Sequence, residues 1–269
     1  MASILCPSCH KLISEDAESC IHCGQRRPGL WGATAAARKL GLRIDFSNVI
    51  AGLCIGLYVL GLALDPGALF SNFSNPLQFL SPSMEASFKL GMTGSQPIFG
   101  YGLWWTPVTA IYLHGGLLHI FFNTMWIRQL GPLVEELFGP FRLIIIFTVA
   151  GIVGFIASAL FGSAFTLGAS GSIFGLLAAA IAYGRRVGSS LFTRQFMQWA
   201  GLIFVMGFIM PGVDNWAHGG GFVGGYLTAW LLGRSMSREG VGAYLGAGLC
   251  ALATVGAFTL QLLAVWGLY

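Results

Sequence analysis

Charge is what this sequence has least of. Asp, Glu, Lys and Arg make up 9% of the 269 residues, while 55% are hydrophobic, and soluble domains carry about 25% charged residues. A soluble globular protein is excluded, and the chain reads as an integral membrane protein. Acidic residues are also missing from the middle of every long apolar run. A carboxylate deep in a bilayer is costly, so the chain offers no acidic partner at mid-membrane depth. A third absence lies at the N-terminus, where the first 24 residues are polar and cysteine-rich. They lack the basic-then-apolar pattern of a cleaved signal peptide, and the first apolar run is read as retained.

Apolar runs fall near 47–64, 104–130, 141–161, 168–184, 196–211, 215–233 and 241–266. Most approach the ~20 residues that cross a ~30 Å hydrocarbon core. The expected fold is therefore all-α, a polytopic membrane helical bundle with seven candidate spans. Arg26, Arg27, Arg38, Lys39 and Arg43 precede the first run, which places the N-terminus in the cytoplasm by the positive-inside rule. Arg128 and Arg142, then Arg185, Arg186 and Arg194, then Arg234 and Arg238 flank the later intracellular connections, leaving Lys89 as the basic residue outside. The C-terminus is then external, and the cell or inner membrane is the expected location.

The segment CPSCHKLISEDAESCIHC spaces Cys6, Cys9, Cys20 and Cys23 as two C-x2-C pairs. Two such knuckles present four thiolates tetrahedrally, and Zn2+ is the usual occupant. Disulfide pairing is the alternative, but a cytoplasmic segment is normally kept reduced. With so few apolar residues, residues 1–24 need a metal to fold. His10 and His22 flank ligand cysteines, though four Cys already complete a shell, and Cys54 and Cys250 read as packing residues. Residues 25–46 form a basic cytoplasmic linker and residues 65–103 a long external loop. Pro107 interrupts the next run, so WWTPVTAIYL reads as a segment that enters the outer leaflet without crossing, and the second span as starting near His114 or Gly115.

The polar residues of the apolar runs carry the functional question. Ser170, in GASGSIFG, taken alone is a helix cap, and Gly171 and Gly175 are ordinary small-residue packing positions. His114, His119, His218 and Asn123 sit in apolar surroundings, and any one of them reads first as an interhelical hydrogen bond. Spacing changes the reading. His119 and Asn123 are four apart, on one helical face. His218 shares a stripe with Gly221 and Gly225, and Ser170 has Phe174 on its own face with Gly171 and Gly175 beside it. Two such stripes let helices approach until a hydroxyl and an imidazole meet at about 2.6–3.2 Å, as nucleophile activation requires. All three spans place these residues in the outer half of the membrane.

The combination GASG with Phe174 and Gly175, AHGGG continuing to Gly225, HGGLLHIFFN, and EELFG at Glu135–Gly139 resembles the rhomboid family of intramembrane serine proteases over roughly residues 47–233. The resemblance implies Ser170 as nucleophile, His218 as general base, and His119, Asn123 and backbone N–H groups as oxyanion donors. It also implies a six-plus-one arrangement, with a six-helix core at 47–233 and a loop and seventh helix at 234–269. The chain departs from the family pattern at Trp105-Thr106, where Trp-Arg is frequent, and at Phe174, where a Tyr commonly packs on the histidine.

Asp214, four residues before His218, reads as an interfacial helix cap rather than a third catalytic member. GASGS lacks the strand and the second glycine of a hydrolase nucleophile elbow, and Glu135 and Glu136 read as structural. The expected activity is endoproteolysis of other proteins' transmembrane segments by a Ser-His dyad, with no cofactor for catalysis. The expected partners are transmembrane-helix substrates, the lipid bilayer and a cytoplasmic protein for the zinc segment; nucleic acid is not expected. A non-catalytic rhomboid-like protein that binds or escorts membrane proteins is the alternative. A transporter fits less well, lacking repeated broken helices and midplane charges.

Overall fold

The computed structural model describes residues 3–6, 9, 11–14, 17–24, 45–67, 79–233, 239–265 and 267. His10, Arg26, Arg27, Arg38, Lys39, Arg43, Arg234 and Arg238 lie outside the described residues, as does most of the 25–46 linker. Among the described residues there are seven helices of 17 residues or more: α1 (Phe46–Leu64), α2 (Leu117–Phe138), α3 (Pro140–Phe161), α4 (Ser170–Arg186), α5 (Ser190–Ile209), α6 (Asn215–Leu232) and α7 (Val241–Val265). α1, α3 and α7 are long and apolar enough to cross a membrane by length and composition alone. The others carry the glycines, histidines and arginines that dilute apolarity. Leu245, Leu249, Leu252 and Val255 of α7 and Leu202 and Phe208 of α5 point outward, as helices bathed in lipid do.

α6 sits between α3 and α4, and these two pairs make the most extensive contacts in the bundle. Its glycines explain how. Gly220 and Gly224 face α3, where an added Cβ would lie 2.6 Å from Ala157 Cβ and 2.8 Å from Val153 Cβ respectively. Gly221 and Gly225 face α4, where an added Cβ would strike the backbone of Gly171 and Gly175. Removing side chains on both faces lets backbones touch, which is how membrane helices gain van der Waals contact when lipid supplies no hydrophobic drive.

Two carboxylates close the connections. Gly139, at φ +100°, ends α2, and Pro140 begins α3, using the position where proline loses no intrahelical bond. Glu239 Oε1 accepts from the N–H groups of Phe141 and Arg142, both at 2.9 Å, satisfying two of the donors that every helix start leaves open. Burial pushes the Glu239 carboxyl above its ordinary range, and those two N–H groups pull the other way. Asp214 caps α6 by accepting from Ala217 N–H at 3.0 Å, and it also takes the hydroxyls of Ser158 and Ser163.

The run 104–130 is divided at Leu113–Gly116, where the backbone turns extended, while Pro107 opens the short helix before it. Thr106–Thr109 and Ala110–Tyr112 are separate short helical turns, and α2 starts only at Leu117. α2 then outlasts the apolar run, continuing through Glu135 and Glu136 until Gly139 ends it. α5 starts at Ser190 rather than 196, taking Arg194 inside the helix. The stretch after residue 79 carries a helix at Met84–Lys89, a π-turn at Gln96–Gly100 and an antiparallel bridge from Thr93 to Thr166.

Near the N-terminus, β1 (Ser3–Leu5) and β2 (Leu12–Ser14) form a two-stranded antiparallel hairpin with Ser3 opposite Ser14. Cys6, Ile13 and Cys20 are buried together against Cys9 and Cys23, so the cysteines themselves form this segment's core.

Candidate active site

Three helices begin at the same end of the bundle, and each carries a polar side chain in its first turn: His119 in α2, Ser170 in α4 and His218 in α6. Helix starts expose unpaired N–H groups and the positive end of the helix dipole. Ser170 is the first residue of α4, and the preceding cap position is Ala169, with no side-chain cap bond. Read alone as a helix cap, Ser170 does not fit: its hydroxyl leaves the first-turn N–H groups of α4 uncapped.

His119 is held by its neighbours. Gly115 N–H donates to His119 Nδ1 at 3.3 Å, which leaves Nε2 as the protonated, donating nitrogen of the neutral ring. A Cβ added to Gly168 would stand 2.8 Å from His119 Nε2 and 3.9 Å from Ser170 Oγ. The missing side chain thus lets the His119 ring close on the backbone beside Ser170. Gly168 has φ +133°, a backbone conformation that side chains rarely adopt. The His114 ring lies 5.0 Å from that of His119, edge to face.

His218 is 4% exposed and stacks on Phe174 with ring centroids 4.4 Å apart and planes at 19°. Its Nδ1 is buried without a hydrogen-bond partner, a condition that calls for an explanation in a native site. Phe174 is one turn below Ser170, and a Cβ on Gly171 would lie 3.2 Å from Ala217 O, so α4 and α6 meet level with the two residues. Ser170 Oγ and the His218 ring make no hydrogen bond with each other, and catalytic hydrogen bonds are often long before substrate binds. Asn123 is also buried. Its Nδ2 donates to His119 O at 2.8 Å and its Oδ1 has no partner, so one face of its carboxamide is committed to α2 itself.

The departure at Thr106 has a structural counterpart. Thr106 is fully buried, donates to Leu103 O at 2.8 Å and pairs with Thr93 Oγ1 at 3.0 Å. Thr109 donates to Gly91 O at 2.6 Å. Thr106 stood out in the sequence as a departure from the family pattern, but Thr93 and Thr109 did not, their bonds spanning 13 and 18 residues.

At the N-terminus, the four cysteine Sγ atoms lie within 4.8 Å of one another, with Cys6–Cys23 and Cys9–Cys20 each at 3.7 Å. A tetrahedron of thiolates about 2.3 Å from a central ion has edges of about 3.8 Å, so these residues fit a metal ion. None of the four forms a disulfide, their Sγ atoms being too far apart for one.

Outward apolar helices around a small cluster of imidazole, hydroxyl and carboxamide groups define a membrane helical bundle with a polar centre near one end. The Rhomboid domain matches residues 101–235, half of the chain; the chain belongs to the rhomboid family. It is 36% identical over 140 residues to "Rhomboid protease GluP" of Bacillus subtilis (strain 168), covering 51% of this chain and 27% of that protein. It is 34% identical over 170 residues to "RHOMBOID-like protein 7" of Arabidopsis thaliana, covering 61% of this chain and 53% of that protein. A third relative, "Putative rhomboid protease YdcA" of Bacillus subtilis (strain 168), is 28% identical over 148 residues, covering 51% of this chain and 72% of that protein. The matched stretch is thus about half or less of the length of the first two relatives.

Proposed function

We propose that the protein is an intramembrane serine endopeptidase that cleaves transmembrane segments of other membrane proteins. The observation that carries this reading is the convergence of the donating His119 Nε2 and Ser170 Oγ on the same glycine, Gly168, with a buried, unpartnered imidazole at His218 on the adjoining helix α6. In this reading Ser170 Oγ attacks the scissile carbonyl carbon while His218 takes the hydroxyl proton. The carbonyl oxygen becomes an oxyanion, received by His119 Nε2–H, the Asn123 carboxamide and the uncapped N–H groups at the start of α4. Collapse expels the amine, protonated by His218, and leaves an acyl ester on Ser170. A water molecule, deprotonated by His218, hydrolyses that ester and restores the serine. A helical substrate must unwind locally first, because its carbonyls are otherwise held in hydrogen bonds.

The remaining assignments are part of the same proposal. All seven long helices cross the membrane, with the N-terminus cytoplasmic and the C-terminus external. Residues 47–233 form the six-helix core, 234–269 supply the seventh helix, and residues 1–24 hold structural Zn2+ through Cys6, Cys9, Cys20 and Cys23 and dock a cytoplasmic partner. The deciding experiment compares wild type with Ser170→Ala and His218→Ala, reconstituted in liposomes with single-pass substrates. Both variants are expected to fold and to lose detectable cleavage. Full activity in folded Ser170→Ala would falsify the mechanism, and wild-type inactivity across diverse substrates would favour the binding or escort function.

A further inference from the structure

We propose that Gln261 of α7 is a positioning residue that locks the external segment against the bundle and, through it, fixes the loop that presents Ser170. The inference rests on the protease reading only for its effect on turnover. Gln261 is 1% exposed in an otherwise apolar stretch of helix, where a polar side chain is expensive unless fully engaged. Its Oε1 accepts from Trp105 Nε1 at 2.9 Å, and its Nε2 donates to Phe88 O at 2.9 Å and approaches Lys89 O at 3.3 Å. One carboxamide therefore joins both ends of the external segment, the Met84–Lys89 helix and the Trp105 turn, to α7.

The same face of α7 adds two further contacts. Thr254 Oγ1 lies 3.4 Å from Tyr112 Oη, and the Phe258 ring lies 6.2 Å from the Tyr112 ring. Residues 254, 258 and 261 follow helical spacing along one stripe, so this side of α7 is devoted to the external segment.

That segment is in turn laddered to the loop before Ser170. Thr93 N–H donates to Thr166 O at 2.9 Å, and Thr166 N–H returns a bond to Thr93 O at 2.6 Å. Ser95 and Gln96 N–H groups donate to Ser163 O and Ala164 O at 3.0 and 3.2 Å. Gly168 N–H donates to Ala110 O at 2.9 Å, two residues before Ser170. The loop has no helix of its own between Phe161 and Ser170, so its shape is set by these partners, and their shape by Gln261.

The test combines Gln261→Met, which keeps an unbranched side chain of similar length, with Trp105→Phe, which breaks the same bond from the other side. Hydrogen exchange is read at residues 93–96 and 163–170, and Ser170 reactivity as the rate of labelling by a fluorophosphonate. Loss of one or two net hydrogen bonds corresponds to roughly tenfold faster opening. Both variants are expected to show that increase at both stretches, with helix-core exchange unchanged, labelling and kcat lowered about tenfold, and the double variant no worse than Gln261→Met. If only the 93–96 stretch loosens and Gly168 exchange, labelling and kcat are unchanged, Gln261 is packing glue and the proposal is wrong. If the wild-type protein neither cleaves nor labels, the protease reading fails by itself, and exchange at Gly168 still decides whether Gln261 holds the loop. Should Gln261→Met fail to fold, Trp105→Phe decides the question alone.

Discussion

Gly225→Ala adds a single methyl group where α4 and α6 touch backbone to backbone. The new Cβ would sit 2.5 Å from Gly175 O and 2.7 Å from its carbonyl carbon. Ordinary contact is about 3.5–4.0 Å, and backbone atoms cannot rotate away, so the helices must part by roughly 1 Å. Overpacking of this kind costs about 1–3 kcal/mol. Gly225 is seven residues from His218, about 10 Å along the helix axis, and a stiff helix carries the displacement to that level. A misplacement of about 1 Å between reacting groups lowers turnover about 10²-fold. Gly219→Ala, on the same helix with no atom within 4 Å of its added Cβ, separates the effect of the clash from that of the methyl on helix stability. Thermal unfolding in detergent should show Gly225→Ala several degrees below wild type and Gly219→Ala at or above it, with cleavage in liposomes falling far more for Gly225→Ala. Equal melting temperatures and equal turnover for Gly225→Ala and wild type would refute the close-packing argument.

His119→Ala or Asn123→Ala should retain measurable activity, because losing one oxyanion donor costs about 10²- to 10³-fold while others remain; steady-state kinetics beside Ser170→Ala gives the ranking. Phe174→Tyr should leave turnover within a few-fold of wild type and Phe174→Ala should lower it strongly, since the ring face packs on His218; equal activity of the two variants would disprove the stacking role. Metal analysis of the purified chain should find one Zn2+, lost in Cys6→Ser with Cys23→Ser; unchanged content would reject the four-thiolate site. An engineered thiol within residues 25–46 should resist labelling by impermeant reagents in intact cells, and labelling from outside would invert the topology.

Much of this architecture was legible in the chain because lipid imposes strong rules. Apolar runs located the long helices, Pro107 flagged the short turns before α2 although the break itself falls at Leu113–Gly116, and the glycine periods of α4 and α6 marked the faces that meet. Helix ends were less legible. α2 continues through Glu135 and Glu136 because a helix stops where backbone conformation changes, here at Gly139, rather than where apolarity fades. The tertiary polar contacts were hardest to see. Gln261 could have been noticed as a carboxamide in an apolar run, but its partners Trp105 and Phe88 lie more than 150 residues away. Thr106 looks like a lost arginine in sequence and becomes an anchor only once Thr93 is placed beside it.

Glu239, just before α7, holds the start of α3, and Gln261, near the other end of α7, holds the Met84–Lys89 helix and the Trp105 turn. A helix tied at both ends to different parts of the bundle is not a removable module, although the Rhomboid-domain match stops at residue 235. Shortening the chain there would open the α2–α3 corner and release the Met84–Lys89 helix and the Trp105 turn together, although the bonds lost lie at opposite ends of one helix. Exchanging α7 with the corresponding helix of another six-plus-one protein would succeed only if the acceptor offered the same partners, an open helix start after its corner glycine and a tryptophan beside the Phe88 carbonyl. What can be moved as a unit is the helix together with the two places it ties down.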